Sequence, residues 1–314
     1  MSATTAPLLV QPATIDEAAE ALRAAGAAGR TVSIGRDGGD VTLSTAGLTR
    51  ILEHEPGDLI VIVEAGIRLS ALDAHLAVHG QLLALDPPGD PTVGACLAAN
   101  LSGPRRHRYG APRDLVLGAT LVLGDGTIAS SGGKVVKNVA GFDLAKLVCG
   151  SEGRLGLIAR VCLRLHPRPA AARTVVVPLE DAAQAARLAS AVLRSTLAPS
   201  AVDVHWPDRF ALLFEGSERA VADQVAAAGA LLGAVEAGDE VWSEAGGRQL
   251  ASRGRSSFAP GELAALLEAW PRAVVRAGVG AAYLPDPVAD PRPDGVRALE
   301  ERIRAQLDPH GVLA

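Results

Sequence analysis

Lysine is nearly absent: only three of the thirty basic residues are lysine, and Lys134, Lys137 and Lys146 fall within thirteen positions of one another. In a chain that otherwise uses arginine, such a cluster suits a place where a compact ammonium fits and a guanidinium fork does not, or a solvated loop. Aromatic residues are equally scarce, nine in all, which argues against a surface that stacks bases or sugars. Cysteine occurs only as Cys96, Cys149 and Cys162, far apart and never as CxxC. This chain alone therefore builds neither a disulfide framework nor an iron–sulfur site, and a reducing, cytosolic compartment fits. No segment reaches the ~18 apolar residues of a membrane span, and the uncharged stretch Met1–Ile15 lacks the basic start of an export signal. Positive charge is not in excess either. Thirty basic against 35 acidic residues give a net charge of −5, which argues against a dedicated nucleic-acid binder.

What is present is ordinary for a soluble α/β protein: 48% hydrophobic residues, 21% charged, a mean hydropathy of +0.23, and 314 residues, enough for two domains of roughly 150 each. Thr14 with Glu17 reads as a capping box opening a helix that ends near Gly26 to Gly29. Strands are expected at Thr31–Ile34 and Leu59–Ala65, bracketing the glycine-rich loop Gly35-Arg36-Asp37-Gly38-Gly39-Asp40. Ser70 with Asp73 predicts a capped helix Leu69–His79. The breaker run Asp86-Pro87-Pro88-Gly89-Asp90-Pro91 then delivers Thr92 as N-cap of a helix Val93–Leu101. Asp125-Gly126 between apolar runs signals a hairpin, followed by a short helix Asp143–Cys149 and a strand Leu155–Leu165. His166-Pro167-Arg168-Pro169 reads as a boundary.

Beyond it the order is strand Thr174–Val177, helix Glu180–Arg194, strands Ala201–Trp206 and Phe210–Glu215, helix Glu218–Leu232 and a strand near Val241. That β-α-β-β-α-β order is the split-βαβ, ferredoxin-like unit. An irregular stretch Gly246–Pro260 precedes helices at Glu262–Trp270 and Asp294–Leu307.

Two common phosphate-binding motifs are missing. No GxGxxG lies between a strand and a helix, since Gly150-Ser151-Glu152-Gly153-Arg154-Leu155-Gly156 has the wrong order of elements, and no P-loop surrounds Gly133-Lys134. His75 and His79 share metal-ligand spacing on one helix, but without a glutamate after His75 they read as polar-face histidines, and no metal is expected. Arg105-Arg106-His107-Arg108, the most basic tetrad, is either a solvated charge run or a place to meet a phosphate or carboxylate.

Taken together, Thr92-Val93-Gly94-Ala95, Ala98-Ala99-Asn100-Leu101-Ser102-Gly103, Tyr109-Gly110, Arg113-Asp114, Leu117-Gly118 and Asp125-Gly126 resemble the flavin domain of the vanillyl-alcohol oxidase superfamily, the PCMH-type FAD-binding domain. Downstream, Lys137-Asn138-Val139-Ala140-Gly141-Phe142-Asp143-Leu144-Ala145-Lys146-Leu147, then Gly150-Ser151-Glu152-Gly153 and Leu155-Gly156-Leu157-Ile158, are similar to the glycolate oxidase FAD-binding subunits of that superfamily. Leu307-Asp308-Pro309-His310-Gly311 resembles their closing LDPxG signature. The resemblance is close from Gln11 to about Pro169 and loose afterwards.

It implies an α+β fold, with a PCMH-type FAD-binding domain of two α/β subdomains over residues 1–169 and a ferredoxin-like cap over 170–314. It also implies noncovalent FAD, since the first loop holds neither histidine nor cysteine. Gly35, Arg36, Gly38 and Gly39 would form that loop. Pro88, Gly89, Thr92, Gly94, Asn100 and Ser102 would follow the pyrophosphate and ribityl chain, with backbone N–H donors at Thr92 and Gly94. Gly153, Gly156 and Ile158 would lie toward the adenine end and the ring, and Val93, Gly103, Tyr109, Arg113, Asp114 and Lys137 complete the implied cofactor set.

Two departures from the family pattern matter. The first loop is short and lacks a GGGT-like run, and Asp37 or Asp40 would repel the diphosphate unless Arg36 offset it. The HGDGNxH-like segment of the family's catalytic subunits has no counterpart in Ala170–Ala314. The implied activity is oxidation of a glycolate-like 2-hydroxy acid, with no general base assigned. The implied partners are a catalytic flavin subunit and an iron–sulfur subunit, in the cytoplasm and peripheral to the inner membrane through them. The clustered lysines would stabilise the reduced flavin, and Arg105, Arg106 and His107 would contact anions near the flavin or a subunit interface. The alternatives are a scaffold subunit with weak or lost FAD binding and, against the lysine block, a reductase of peptidoglycan precursor synthesis.

Overall fold

The computed structural model describes residues 7–36, 38–133, 144–289 and 292–314. The chain opens with β1 (Leu8–Val10), α1 (Ile15–Ala27), β2 (Val32–Ile34) and β3 (Val41–Leu43), and the three strands form a parallel sheet ordered β1-β3-β2. Thr14 caps α1 by accepting the Glu17 N–H, while Glu17 returns an oxygen to the Ala13 N–H rather than to Thr14. Ile15, Ala18, Ala19, Leu22 and Ala25 recur at helical spacing, so one face of α1 packs on Val32, Val41 and Leu43.

Next come β4 (Ile51–Glu55), β5 (Ile60–Glu64), α2 (Leu69–Ala77), β6 (Gln81–Leu82), α3 (Val93–Ala98), α4 (Arg106–Tyr109), α5 (Pro112–Leu115), β7 (Val116–Val122), β8 (Ile128–Gly132), α6 (Leu144–Leu147), β9 (Leu157–Arg164) and β10 (His166–Pro167). Five of these strands form an antiparallel sheet ordered β4-β5-β9-β7-β8, with β7 and β8 joined through Gly126 at φ +78°. Helices α2, α3 and α6 pack on it through Leu72, Leu76, Val93, Cys96, Leu97 and Ala145. Burial pushes the Cys96 thiol up to about 12, so it behaves as a small apolar side chain.

The remainder is β11 (Ala171–Pro178), α7 (Ala182–Leu193), β12 (Ala201–Trp206), β13 (Arg209–Gly216), α8 (Glu218–Leu232), β14 (Val235–Ala237), α9 (Glu240–Leu250), β15 (Gly254–Ser257), α10 (Leu263–Ala269), β16 (Ala273–Arg276), β17 (Ala281–Leu284) and α11 (Asp294–Leu307). Strands β14-β11-β13-β12 reproduce the ferredoxin-like order expected from the β-α-β-β-α-β pattern, and β16-β17-β15 extend the sheet to seven. Val175, Val204, Phe210, Leu212 and Phe214 fill its core against Ala185, Val192 and Leu267 of the helices.

Four local expectations fail for physical reasons. Ser70 does not cap α2, whose N-cap is Arg68, because its N–H and hydroxyl both donate to the Asp90 carboxylate. Helix α3 stops at Ala98 instead of Leu101, because Asn100 turns left-handed at φ +48°. Val241 is helical, and the strand falls earlier at β14, since Val241, Ala245 and Gln249 form a buried face at helical spacing. The stretch Gly246–Pro260 holds the end of α9 and all of β15.

The last residues cross the expected division at 169/170. Val312 and Leu313 lie in the core of the first sheet, the Val32 N–H donates to the Val312 carbonyl at 2.7 Å, and the buried Asp308 carboxylate accepts the Val312 and Leu313 N–H groups at 2.9 and 2.8 Å. Among the described residues no helix is long and apolar enough to cross a membrane.

Candidate functional site

The short helix α3 and the loops around it organise the site. At the end of α3, Gly150 and Glu152 donate their N–H groups to the Leu97 and Ala98 carbonyls at 2.9 and 2.8 Å, so the turn at 150–153 is laid against the helix. Gly153 abuts β2, where a Cβ would come 3.3 Å from that of Ile34. Gly150 lies against Asn100, so the end of α3, the 150–153 turn and Ile34, the residue before Gly35, are brought together beside a crevice that Gly150, Ser151 and Glu152 line.

The residues gathered there carry unusual backbone and unsatisfied oxygens. Asn100 at φ +48° and Glu152 at φ +52° are left-handed without being glycine, a strain that persists only where the surroundings impose it. Asn100 Oδ1 and Ser151 Oγ are buried without a hydrogen-bond partner among the described residues. Such orphaned atoms cost about 1–3 kcal/mol each unless a ligand satisfies them. Gly35 and Gly38, at φ +65° and +138°, have open space where a Cβ would stand, so the chain leaves room there for another group's close approach. Beside the turn, a cavity of about 540 Å³ opens between Cys149–Leu155 and α11.

The implied cofactor residues divide between this crevice and other places. Thr92 caps α3, but the first-turn amides are already committed: the Val93 N–H goes to Ile67 O, Gly94 to Ala65 O at 2.7 Å, and Ala95 to Thr92 Oγ1. The expectation that Gly94 offers a free donor is thereby corrected. Gly94 is needed because a Cβ would come 2.9 Å from the Ala65 carbonyl.

Arg36 is exposed and donates to the Ala314 carbonyl at 2.6 Å, rather than standing against Asp40. The Thr31 N–H and hydroxyl bind the Asp40 carboxylate and hold it below the usual range. A Cβ on Gly39 would meet the Ser33 N and Thr31 O, both at 2.9 Å. Gly156 packs on β7, with a would-be Cβ 3.0 Å from Val122 O, and the Ile158 side chain is buried in the main core. Arg113 and Asp114 are exposed, and the Asp114 carboxylate accepts the Ala111 N–H and leaves no room for a side chain at Gly110. Lys137 lies outside the described residues, as do Lys134 and Asp37. Lys146 is on α6.

A second set gathers where the first sheet's loops meet the seven-stranded sheet. Pro88 and Gly89 face α9 across a cavity of about 600 Å³, with Asp86, Arg105, Trp242 and Gln249 on its walls. Gly103 is pressed against Asp86, whose carbonyl would be 1.8 Å from a Cβ. The Ser102 carbonyl accepts Gln249 Nε2 at 3.1 Å, and Gln249 in turn accepts from the buried Arg276, which pairs with Asp203. Burial pushes the Asp86 carboxyl up to about 6 against the opposing pull of Arg105.

Of the basic tetrad, Arg105 is consumed: its Nε and Nη2 both donate to Glu215 Oε1, at 2.9 and 2.7 Å. His107 packs on the Gly278 backbone, and burial holds it below the usual imidazole range. Arg108 donates to the Glu215 carbonyl and covers the Tyr109 ring, which meets His166 edge-on. Arg106 keeps its charge beside Arg255. Burial first, and Arg255 next, hold Arg106 below the ordinary guanidinium value. Ser151 lay within the quoted Gly150–Gly153 motif, whereas Gln249, Arg255 and Arg276 carried no local signal, because tertiary contacts alone bring them here.

Residues 6–132 match the family described as FAD binding domain. A glycolate oxidase subunit, GlcE, of Escherichia coli (strain K12) is 32% identical over 207 residues, which is 64% of this chain and 56% of that protein. The glycolate oxidase subunit GlcD of Bacillus subtilis (strain 168) is 33% identical over 171 residues, 52% of this chain and 36% of that one. The matched stretches thus span about half or less of these relatives. A solved alkyldihydroxyacetonephosphate synthase superposes with a TM-score of 0.73 at 16% identity, covering 97% of this chain and 75% of that chain, so the two share a fold. FAD is the cofactor of that family, and the residues here fit a long polar group: the orphaned oxygens of Asn100, inside the matched stretch, and of Ser151, beyond it, stand beside the left-handed backbone of Asn100 and Glu152.

Proposed function

We propose that the chain is the FAD-carrying part of an oxidoreductase that draws electrons from a small 2-hydroxy acid of the glycolate type and passes them to a partner subunit. The pair of buried, unpartnered oxygens at Asn100 and Ser151 carries this reading, because the hydroxyl and amide groups of a long polar cofactor would satisfy both. FAD held there supplies the hydride and one-electron chemistry that side chains lack. Asn100 and Ser151 bind it, Gly35 and Gly38 admit its close approach, and attachment is noncovalent because Gly35–Asp40 holds neither histidine nor cysteine.

Arg106 and Arg255 fit the substrate's carboxylate. Arg106 donates to the Ser102 hydroxyl and Arg255 to the Asn100 carbonyl, both neutral groups, so an anion between them would relieve their mutual repulsion. The E. coli and B. subtilis relatives are both named as subunits, which supports a multi-subunit complex; its other members in this reading are a catalytic flavin subunit and an iron–sulfur subunit. Such a complex would hold the chain in the cytoplasm, at the inner membrane through its partners. We assign residues 1–169 to the FAD domain and 170–314 to the cap, with the last residues returning to the FAD domain.

A second reading, a scaffold subunit with weakened FAD binding, is favoured by one observation: the α3 amides and Arg36 are spent on the protein itself. Visible absorption of the purified chain, followed by FAD titration, separates the two. The first reading expects a flavin spectrum. It also expects Ser151→Ala to weaken FAD binding roughly tenfold, the worth of one hydrogen bond, without lowering the stability of the free protein. Anaerobic glycolate should bleach the bound flavin, and Arg255→Ala should abolish bleaching while leaving FAD affinity unchanged. A colourless chain that ignores added FAD refutes the first reading and leaves the scaffold.

A further inference from the structure

His75 lies in the last turn of α2 and His79 two residues beyond its end, and the fold adds a third imidazole to them. His54, on β4, reaches across so that its Nδ1 lies 3.1 Å from His75 Nε2, and its ring packs edge-on against that of His79 with centroids 4.8 Å apart. One ligand atom from each of the three lies within 4.8 Å of the others. None of the three belongs to the cofactor crevice or to the cavity beside α9.

The tautomer of His54 follows from its second neighbour. Gln81, buried, donates its side-chain amide to the Pro56 carbonyl at 2.7 Å, which leaves its Oε1 as the acceptor 2.9 Å from His54 Nε2. His54 therefore carries its proton on Nε2, and the Nδ1 lone pair faces His75. An amide oxygen on the far nitrogen is how metal-ligating histidines are oriented and made more basic. Nitrogens on a tetrahedral ion at about 2.0–2.1 Å stand roughly 3.3 Å apart, so the His54–His75 pair is already near that spacing. The exposed His79 ring needs to close by no more than roughly 1.5 Å, within reach of a side-chain rotation.

We propose that His54, His75 and His79 form a binding site for a divalent transition-metal ion, Zn²⁺ foremost, with Gln81 as the positioning residue and the fourth position left to water. Three imidazoles without a thiolate or carboxylate suit Zn²⁺, Cu²⁺ or Ni²⁺ and disfavour Mg²⁺ and Ca²⁺. The ion would tie β4, the edge of the five-stranded sheet, to α2 and to β6, which pairs with β10 where the chain enters its second half. An edge strand fixed in this way is less open to pairing with another chain.

The test uses the full-length protein, free of any histidine tag and stripped with a chelator, titrated with Zn²⁺ against a chromophoric competitor and with Co²⁺ by its visible bands. The expected result is one equivalent bound at micromolar or lower concentration, with tetrahedral Co²⁺ bands and a higher Tm on Zn²⁺ addition. His79→Gln, a change at an exposed residue that leaves the fold intact, should remove the Co²⁺ bands and the Tm rise. Gln81→Leu should weaken binding by roughly 10–100-fold, as loss of an orienting partner does. His310→Gln, at an exposed histidine elsewhere, should change nothing. Zn²⁺ binding that is absent, only millimolar, or equally strong in His79→Gln overturns the proposal.

Discussion

Truncating Arg105 to alanine offers the sharpest test of how the two halves are held together. The Glu215 side chain has no exposed surface, its Oε1 receives both Arg105 Nε and Nη2, and its Oε2 accepts from no described residue. Removing the guanidinium leaves a buried carboxylate without its counter-ion, a change that generally costs about 3–5 kcal/mol. Asp86, 4.0 Å from Arg105 Nη1, adds a contribution of the same sign. Arg105→Ala should therefore lose about 3–5 kcal/mol at pH 7. Glu215→Gln should lose less, because Arg105 keeps 31% of its side chain exposed and can turn to water. The double variant should regain most of the loss at pH 7. Urea unfolding followed by tryptophan fluorescence measures this, since Trp206, Trp242 and Trp270 all lie in the second half. A loss below about 1 kcal/mol at pH 7 would refute the view of Glu215 as a buried charge neutralised by Arg105.

Asp86, with 19% of its side chain exposed, carries a carboxyl raised to about 6 from an ordinary 3.8. Between those values the folded chain holds a proton that the unfolded chain releases, so this group's contribution to stability falls as pH rises through the window and is level above it. Asp86→Asn should flatten that slope and raise stability at pH 7 by about 1–2 kcal/mol, a shift of about 3 kcal/mol discounted for solvent access, with the pH dependence of unfolding as readout. Asp308→Ala removes two bonds to the Val312 and Leu313 N–H groups; it should cost about 2–4 kcal/mol and speed hydrogen exchange at Val32 and Ala314, and unchanged exchange there would show that the C-terminal segment is held some other way.

Local chemistry fixed much of the architecture in advance. Thr14, Thr92 and Asp125-Gly126 act where their side chains and backbone preferences put them, and the alternation of apolar residues over 174–232 predicts elements that assemble in ferredoxin-like order. The glycines from Gly94 to Gly156, read as cofactor residues, were informative in a different way. Gly94, Gly103 and Gly156 are needed because protein backbone, not a ligand, comes within 3.0 Å of a would-be Cβ. A sequence marks that a close approach occurs but not what approaches, since either partner excludes the same methyl group. The site's charges were less legible still. Arg105 and Arg106 are neighbours in the chain, yet one is consumed by Glu215 and the other left beside Arg255, partners 110 and 149 residues away. His75 and His79 announced a helical pair, whereas His54 joins them only because β4 lies beside α2. Propensity, capping and periodicity act within a few residues and can be read along the chain. Burial, pairing of charge and convergence of ligands are set by distances that exist only after the sheets have packed.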